Sequence, residues 1–113
     1  MSRQRYFIQI DDLSLARGEH PQTSFSGATV KGLAAAITSG LRESGLHDRW
    51  LQMQDDPDEV DPQMGLLDPA AEVSAESARS RVDLVISTDL PHSVIKHRLN
   101  LLIGHHWRLH DIK

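Results

Sequence analysis

Histidine is the side chain with the widest chemical reach in this chain, and it is unevenly placed. Five of the seven histidines, His92, His97, His105, His106 and His110, fall in residues 92–113. A zinc ion would need three or four nitrogen or carboxylate donors converging near-tetrahedrally. His106 and His110 share one face of a predicted final strand, but two positions apart on that face is too far for one ion, and no HExxH-type spacing occurs. Exposed imidazoles titrating near neutrality are the expectation. A histidine-metal protein remains a second alternative, with no metal ligand assigned and no cofactor expected.

Other chemistry-bearing residues do not assemble into a site. The run Asp55, Asp56, Asp58, Glu59 and Asp61 has the charge of a calcium loop, but lacks the central glycine and closing glutamate in register. Ser24 to Lys31 enter a predicted helix with hydroxyls, a glycine and a lysine, as ordinary capping does; a phosphate loop would place the lysine directly after a glycine. No nucleophile elbow is present, and no serine, histidine and carboxylate fall in a known signature. The expected class is therefore non-enzymatic.

These residues are carried by a pattern that occurs twice, an alternating apolar strand leading into an amphipathic helix. Residues 6–10 alternate, with Tyr6, Ile8 and Ile10 on one face and Arg5, Phe7 and Gln9 on the other. The helix predicted over residues 29–44 follows. In it Val30, Leu33, Ala34, Ile37 and Leu41 form one stripe, Thr29 or Ser26 caps the start, and Gly45 supplies a left-handed stop. Gly32, Ala36 and Gly40 form a row of small residues suited to close packing. A short strand is predicted over residues 49–54.

The second half repeats the plan. Val82, Leu84 and Ile86 point inward and Arg81, Asp83 and Val85 outward. A helix over residues 90–103 follows, capped by Thr88 or Asp89, with Pro91 in its first turn and Gly104 ending it. This helix has two apolar stripes, Leu90, Val94 and Leu101, and Ile95, Leu99 and Leu102, with Arg98 between them. One stripe suffices to lie on a sheet. The other calls for a loop, the first helix or another subunit. A last strand over residues 106–112 puts Trp107 and Leu109 on one face and Arg108, His110 and Ile112 on the other.

The order βαββαβ predicts an α+β fold: a two-layer ferredoxin-like sandwich, a four-stranded antiparallel sheet with two helices on one face. Strands one and three belong in the middle of the sheet and two and four at its edges. Residues 1–113 are expected to form a single domain with long loops at about 12–28 and 55–77. The second loop carries the apolar group Met64, Leu66 and Leu67, expected to fold back on the domain. This scaffold includes RNA-recognition motifs, and residues 7–13, Phe-Ile-Gln-Ile-Asp-Asp-Leu, are similar to the first-strand motif of that family. The resemblance ends there. The family's other strand motif brings two aromatics, whereas Arg81-Val82-Asp83-Leu84 has none.

Charge and composition narrow the function classes. Cysteine is absent, which excludes disulfides and thiolate metal sites. The start, Met-Ser-Arg-Gln-Arg-Tyr, has no apolar signal-peptide core, so a cytoplasmic location and no membrane partner are expected. Residues 1–91 hold eight Lys/Arg against fifteen Asp/Glu, while residues 92–113 hold four basic residues and only Asp111. That asymmetry suits orientation of a partner, and the net charge of −4 disfavours broad adhesion to polyanions. The expected function is a small soluble binding or regulatory module acting through protein–protein contacts, with a homodimer as one form. The alternative is a nucleic-acid-associated domain using the open sheet face and the basic C-terminal segment. Phe7, Arg81, Arg98, Arg108, Met64, Leu66 and Leu67 are the candidate binding residues.

Overall fold

A computed structural model of the chain describes residues 3–79 and 81–113; Met1 and Ser2 of the N-terminal reading lie outside them. The alternation in the first strand is realised as β1, Gln4–Ile10, whose Tyr6, Ile8 and Ile10 are buried. The predicted helix is α1, Val30–Arg42, capped by the Thr29 hydroxyl, which accepts from Gly32 N at 2.9 Å. The third predicted strand is β3, Arg81–Thr88, with Val82, Leu84 and Ile86 buried. The last helix is α3, His92–Ile103, and the last strand is β4, Arg108–Ile112. Gly104 ends α3 at φ 65°, a conformation that costs glycine little.

Two expectations fail in the middle of the chain. Residues 49–54, read as a strand, belong largely to α2, Gly45–Gln52. Its apolar residues are too few to separate a helical from an extended period, and burial of Leu46 with half-burial of Trp50 makes the helix the better packed choice. Gly45 is accordingly the first residue of α2 and not a left-handed stop. The long loop at 55–77 contains two 3₁₀ turns, Pro57–Glu59 and Pro62–Gly65, and then β2, Glu72–Ala78. Glu, Ser and Ala are weak strand formers, so this strand exists because β3 pairs with it, from Glu72↔Ser87 to Ala78↔Arg81.

The result is an α+β arrangement with a four-stranded antiparallel sheet in the order β2-β3-β1-β4, so β3 and β1 are central. It is compatible with two layers. The buried face of the sheet joins α1, α2 and α3 in one apolar cluster that includes Leu33, Ile37, Leu41, Leu46, Val94, Ile95, Leu99 and Ile103. No helix of the described residues is long and apolar enough to cross a membrane.

The second stripe on α3 is filled by the chain itself. Ile95, Leu99 and Leu102 are buried, and the segment before α1 lies over the end of α3, where Phe25 N donates to Leu102 O at 2.8 Å. The stretch at 12–28 is thus ordered, with Ala16, Thr23 and Phe25 buried. Its approach is so close that a Cβ on Gly18 would lie 2.1 Å from the Leu101 carbonyl oxygen. The self-interface expected on this stripe therefore loses its basis. The N-cap of α3 is Pro91; the Thr88 hydroxyl is buried and donates to Asp68 Oδ2 at 2.7 Å. A register shift in β4 pairs Leu109 with Ile8 and Ile112 with Tyr6, so Ile112 returns to the inner side of the sheet.

Candidate functional site

Period-two alternation leaves one face of the sheet without a covering element among the described residues, and several candidate residues meet on it. Phe7 and Gln9 on β1 face outward beside Asp83 and Val85 on β3, and all four are half-buried. With His110 of β4 they line a depression of about 260 Å³. Arg81 and Arg108 lie toward opposite flanks. Arg81 Nη2 is 3.3 Å from Asp83 Oδ2, and Arg108 Nη2 is 2.7 Å from Asp11 Oδ1. The second oxygen of Asp83 is buried with no partner among the described residues. Two cations sit near the Phe7 ring, Lys113 Nζ at 5.3 Å and Arg5 Cζ at 5.9 Å from its centroid. On β2, Glu72, Ser74, Glu76 and Ala78 continue the same face. It therefore presents a small apolar centre within charges of both signs.

The remaining candidates gather elsewhere, around Arg98. This side chain, expected to contact a partner, is 1% exposed. Its Nη1 donates to Gly40 O at 2.7 Å, and its Nη2 to Met64 O at 2.6 Å and Leu66 O at 2.7 Å. It thereby ties α1 and the Pro62–Gly65 turn to α3; among the described residues its Nε has no partner and no carboxylate pairs with it. Gly40 suits this close packing: a Cβ there would lie 2.9 Å from Leu46 Cδ2, and the Leu46 side chain would have to shift. Met64 is half-buried against the core and Leu67 half-buried, while Leu66 stays 44% exposed. The apolar group thus folds back, as expected, and only Leu66 reaches outward.

Beside Arg98 lies a set of rings that the misassigned strand concealed. His97 stands edge-on to Trp50 at 4.4 Å between centroids, and His47 lies 5.6 Å from Trp50. His47 Nδ1 and His97 Nε2 are buried with no hydrogen-bond partner among the described residues. Burial, then the Arg98 charge, then that of His47 push His97 down to about 4. Burial and Arg98 also lower His47, against an opposing pull from Asp48. Both imidazoles are thus held neutral near physiological pH. The i, i+4 spacing of His47 and Leu51 or Leu46 and Trp50 was the only trace of this helix in the sequence.

The other histidines disperse. His92 stacks on Tyr6 at 5.9 Å, His110 lies on the open face, and His20, His105 and His106 line a groove of about 670 Å³ along the end of α3. Among the described residues no group of three or more His, Cys, Asp or Glu side chains could hold a metal ion. No family model, curated protein or solved structure matches the chain.

Proposed function

We propose that this protein is a small non-enzymatic binding module that engages a protein partner through the uncovered face of its sheet. The observation that carries this reading is the composition of that face. Half-buried Phe7 and Val85 offer an apolar centre, and Arg81, Arg108, Asp83 and Glu76 surround it with both signs of charge. Protein interfaces have this anatomy, an apolar core with a polar rim. A polyanion would meet the carboxylates as well as the arginines. The strand order, with β1 and β3 central and two α–β connections, supports the two-layer ferredoxin-like plan, with α2 as an addition before β2.

One observation favours nucleic acid as a second reading: Phe7, Arg81 and Arg108 do share one face, as a stacking and phosphate-binding surface requires. Both arginines are engaged by carboxylates, which a phosphate would have to displace. A photoreactive side chain placed at Gln9 distinguishes the two in cells of the source. Protein adducts that disappear with Phe7→Asp are the expected outcome. Adducts to nucleic acid alone, with salt-dependent oligonucleotide binding weakened by Phe7→Ala and Arg81→Ala, would replace this reading with the second.

A further inference from the structure

We infer that β2 is the self-association edge of this protein, pairing antiparallel with β2 of a second copy to make one continuous eight-stranded sheet. The two edges of the sheet are built differently. At β4 the ladder is broken by the register shift, Arg108 and Lys113 bring charge, and the Ile112 amide is already taken by the Asp111 carboxylate at 2.8 Å. Those are the devices by which an edge is closed to further strands. Among the described residues β2 has neither the ladder break nor an amide taken by a side chain, and its only charges are Glu72 and Glu76. Its seven residues pair with β3 in unbroken register, with no proline, lysine or bulge. Among the described residues its backbone makes no hydrogen bond other than those to β3.

The occupant follows from the side chains. A two-fold axis through the strand pairs residues whose numbers have a constant sum, and the outward side chains of β2 are Glu72, Ser74, Glu76 and Ala78. Centring the axis on Ser74 sets Glu72 opposite the second copy's Glu76, twice; centring it on Glu76 sets that residue opposite itself. Like charges directly opposite are unfavourable. Centring it on Ala75 removes every such clash: Ser74 meets Glu76, where a hydroxyl can donate to a carboxylate, and Glu72 meets Ala78. Ala78 is paired with Arg81 on β3. The second copy's Glu72 then lies two strand spacings, about 10 Å, from Arg81, with only a methyl group between them. Both side chains are long enough to meet across it, with Arg81 sharing or exchanging its ion pair with Asp83, and the symmetry supplies this contact twice. Registers centred on Val73 or Ser77 also avoid like-charge pairs but match only three residues of the strand, whereas the Ala75 register matches all seven.

This inference rests on the reading of the chain as a protein-contact module only in that the dimer would join two open faces into one surface. Its test needs no partner. Sedimentation equilibrium over a wide concentration range is expected to show a reversible dimer. Ser74 is exposed, so substitution there leaves the protomer intact, which circular dichroism verifies. Ser74→Glu places two like-charge pairs in the interface and should weaken the dimer by about tenfold, whereas Ser74→Lys places two opposite-charge pairs and should tighten it by about the same factor. A monomer at all concentrations overturns the inference, as does a dimer that the two substitutions do not move in opposite directions. A monomer that still gives Phe7-dependent protein adducts would leave the proposed function standing without this interface.

Discussion

Acidification is expected to loosen this fold, because His97 would take up a proton in surroundings made for a neutral ring. The imidazole is edge-on to Trp50, its Nε2 is buried and unpartnered, and the Arg98 guanidinium is its neighbour in the chain. Burial first, then Arg98, then His47 lower it from 6.5 to about 4. Between those two values the unfolded chain binds more protons than the folded one. Stability is therefore complete above 6.5, falls as the pH descends through the window, and has no more to lose from this group below about 4. The linkage amounts to about 2 kcal/mol by about pH 5 and about 3 kcal/mol by about pH 4. That is a large part of the roughly 5–15 kcal/mol that holds a domain folded. His47, lowered mainly by burial, acts in the same direction. Urea unfolding followed by tryptophan fluorescence in steps down from neutral pH reads the effect as a falling midpoint at constant slope. His97→Gln removes the titrating ring and should flatten most of that dependence. An equally steep dependence in His97→Gln would refute the reasoning.

Arg98→Met keeps most of the volume but strands the carbonyls of Gly40, Met64 and Leu66, and is expected to cost about 3 kcal/mol or more in urea unfolding, at about 1–3 kcal/mol for each acceptor left unpaired. It should also raise the His97 pKa, readable by NMR titration, because the neighbouring charge is gone. Gly18→Ala forces a methyl group toward the Leu101 carbonyl and should cost about 2–3 kcal/mol, with faster amide exchange at Phe25, whose bond to Leu102 holds the same segment down.

The parts of the fold legible in the chain were those whose pattern runs long enough to have one period. Tyr6, Ile8 and Ile10 alternate, as do Val82, Leu84 and Ile86, and each set is buried on one side of a central strand. The stripe from Val30 to Leu41 and the stop at Gly104 were equally local. The open face followed from them, since the side chains between the buried ones have only one direction left. That is why Phe7, Arg81 and Arg108 lie on one face.

What tertiary structure decided were the segments and side chains whose state depends on distant neighbours. Residues 45–52 are too short and too polar to declare a period, and burial of Leu46 with Trp50 made them a helix. Glu72–Ala78 has poor strand propensity and became β2 because β3 offered a ladder. Arg98 looked like a charge stranded between two apolar stripes. Its three acceptors lie 58, 34 and 32 residues away in sequence, so no local pattern could reveal that it holds the core together. Periodicity is a property of a stretch of chain, whereas desolvation and hydrogen-bond closure are properties of the residues that chain brings near.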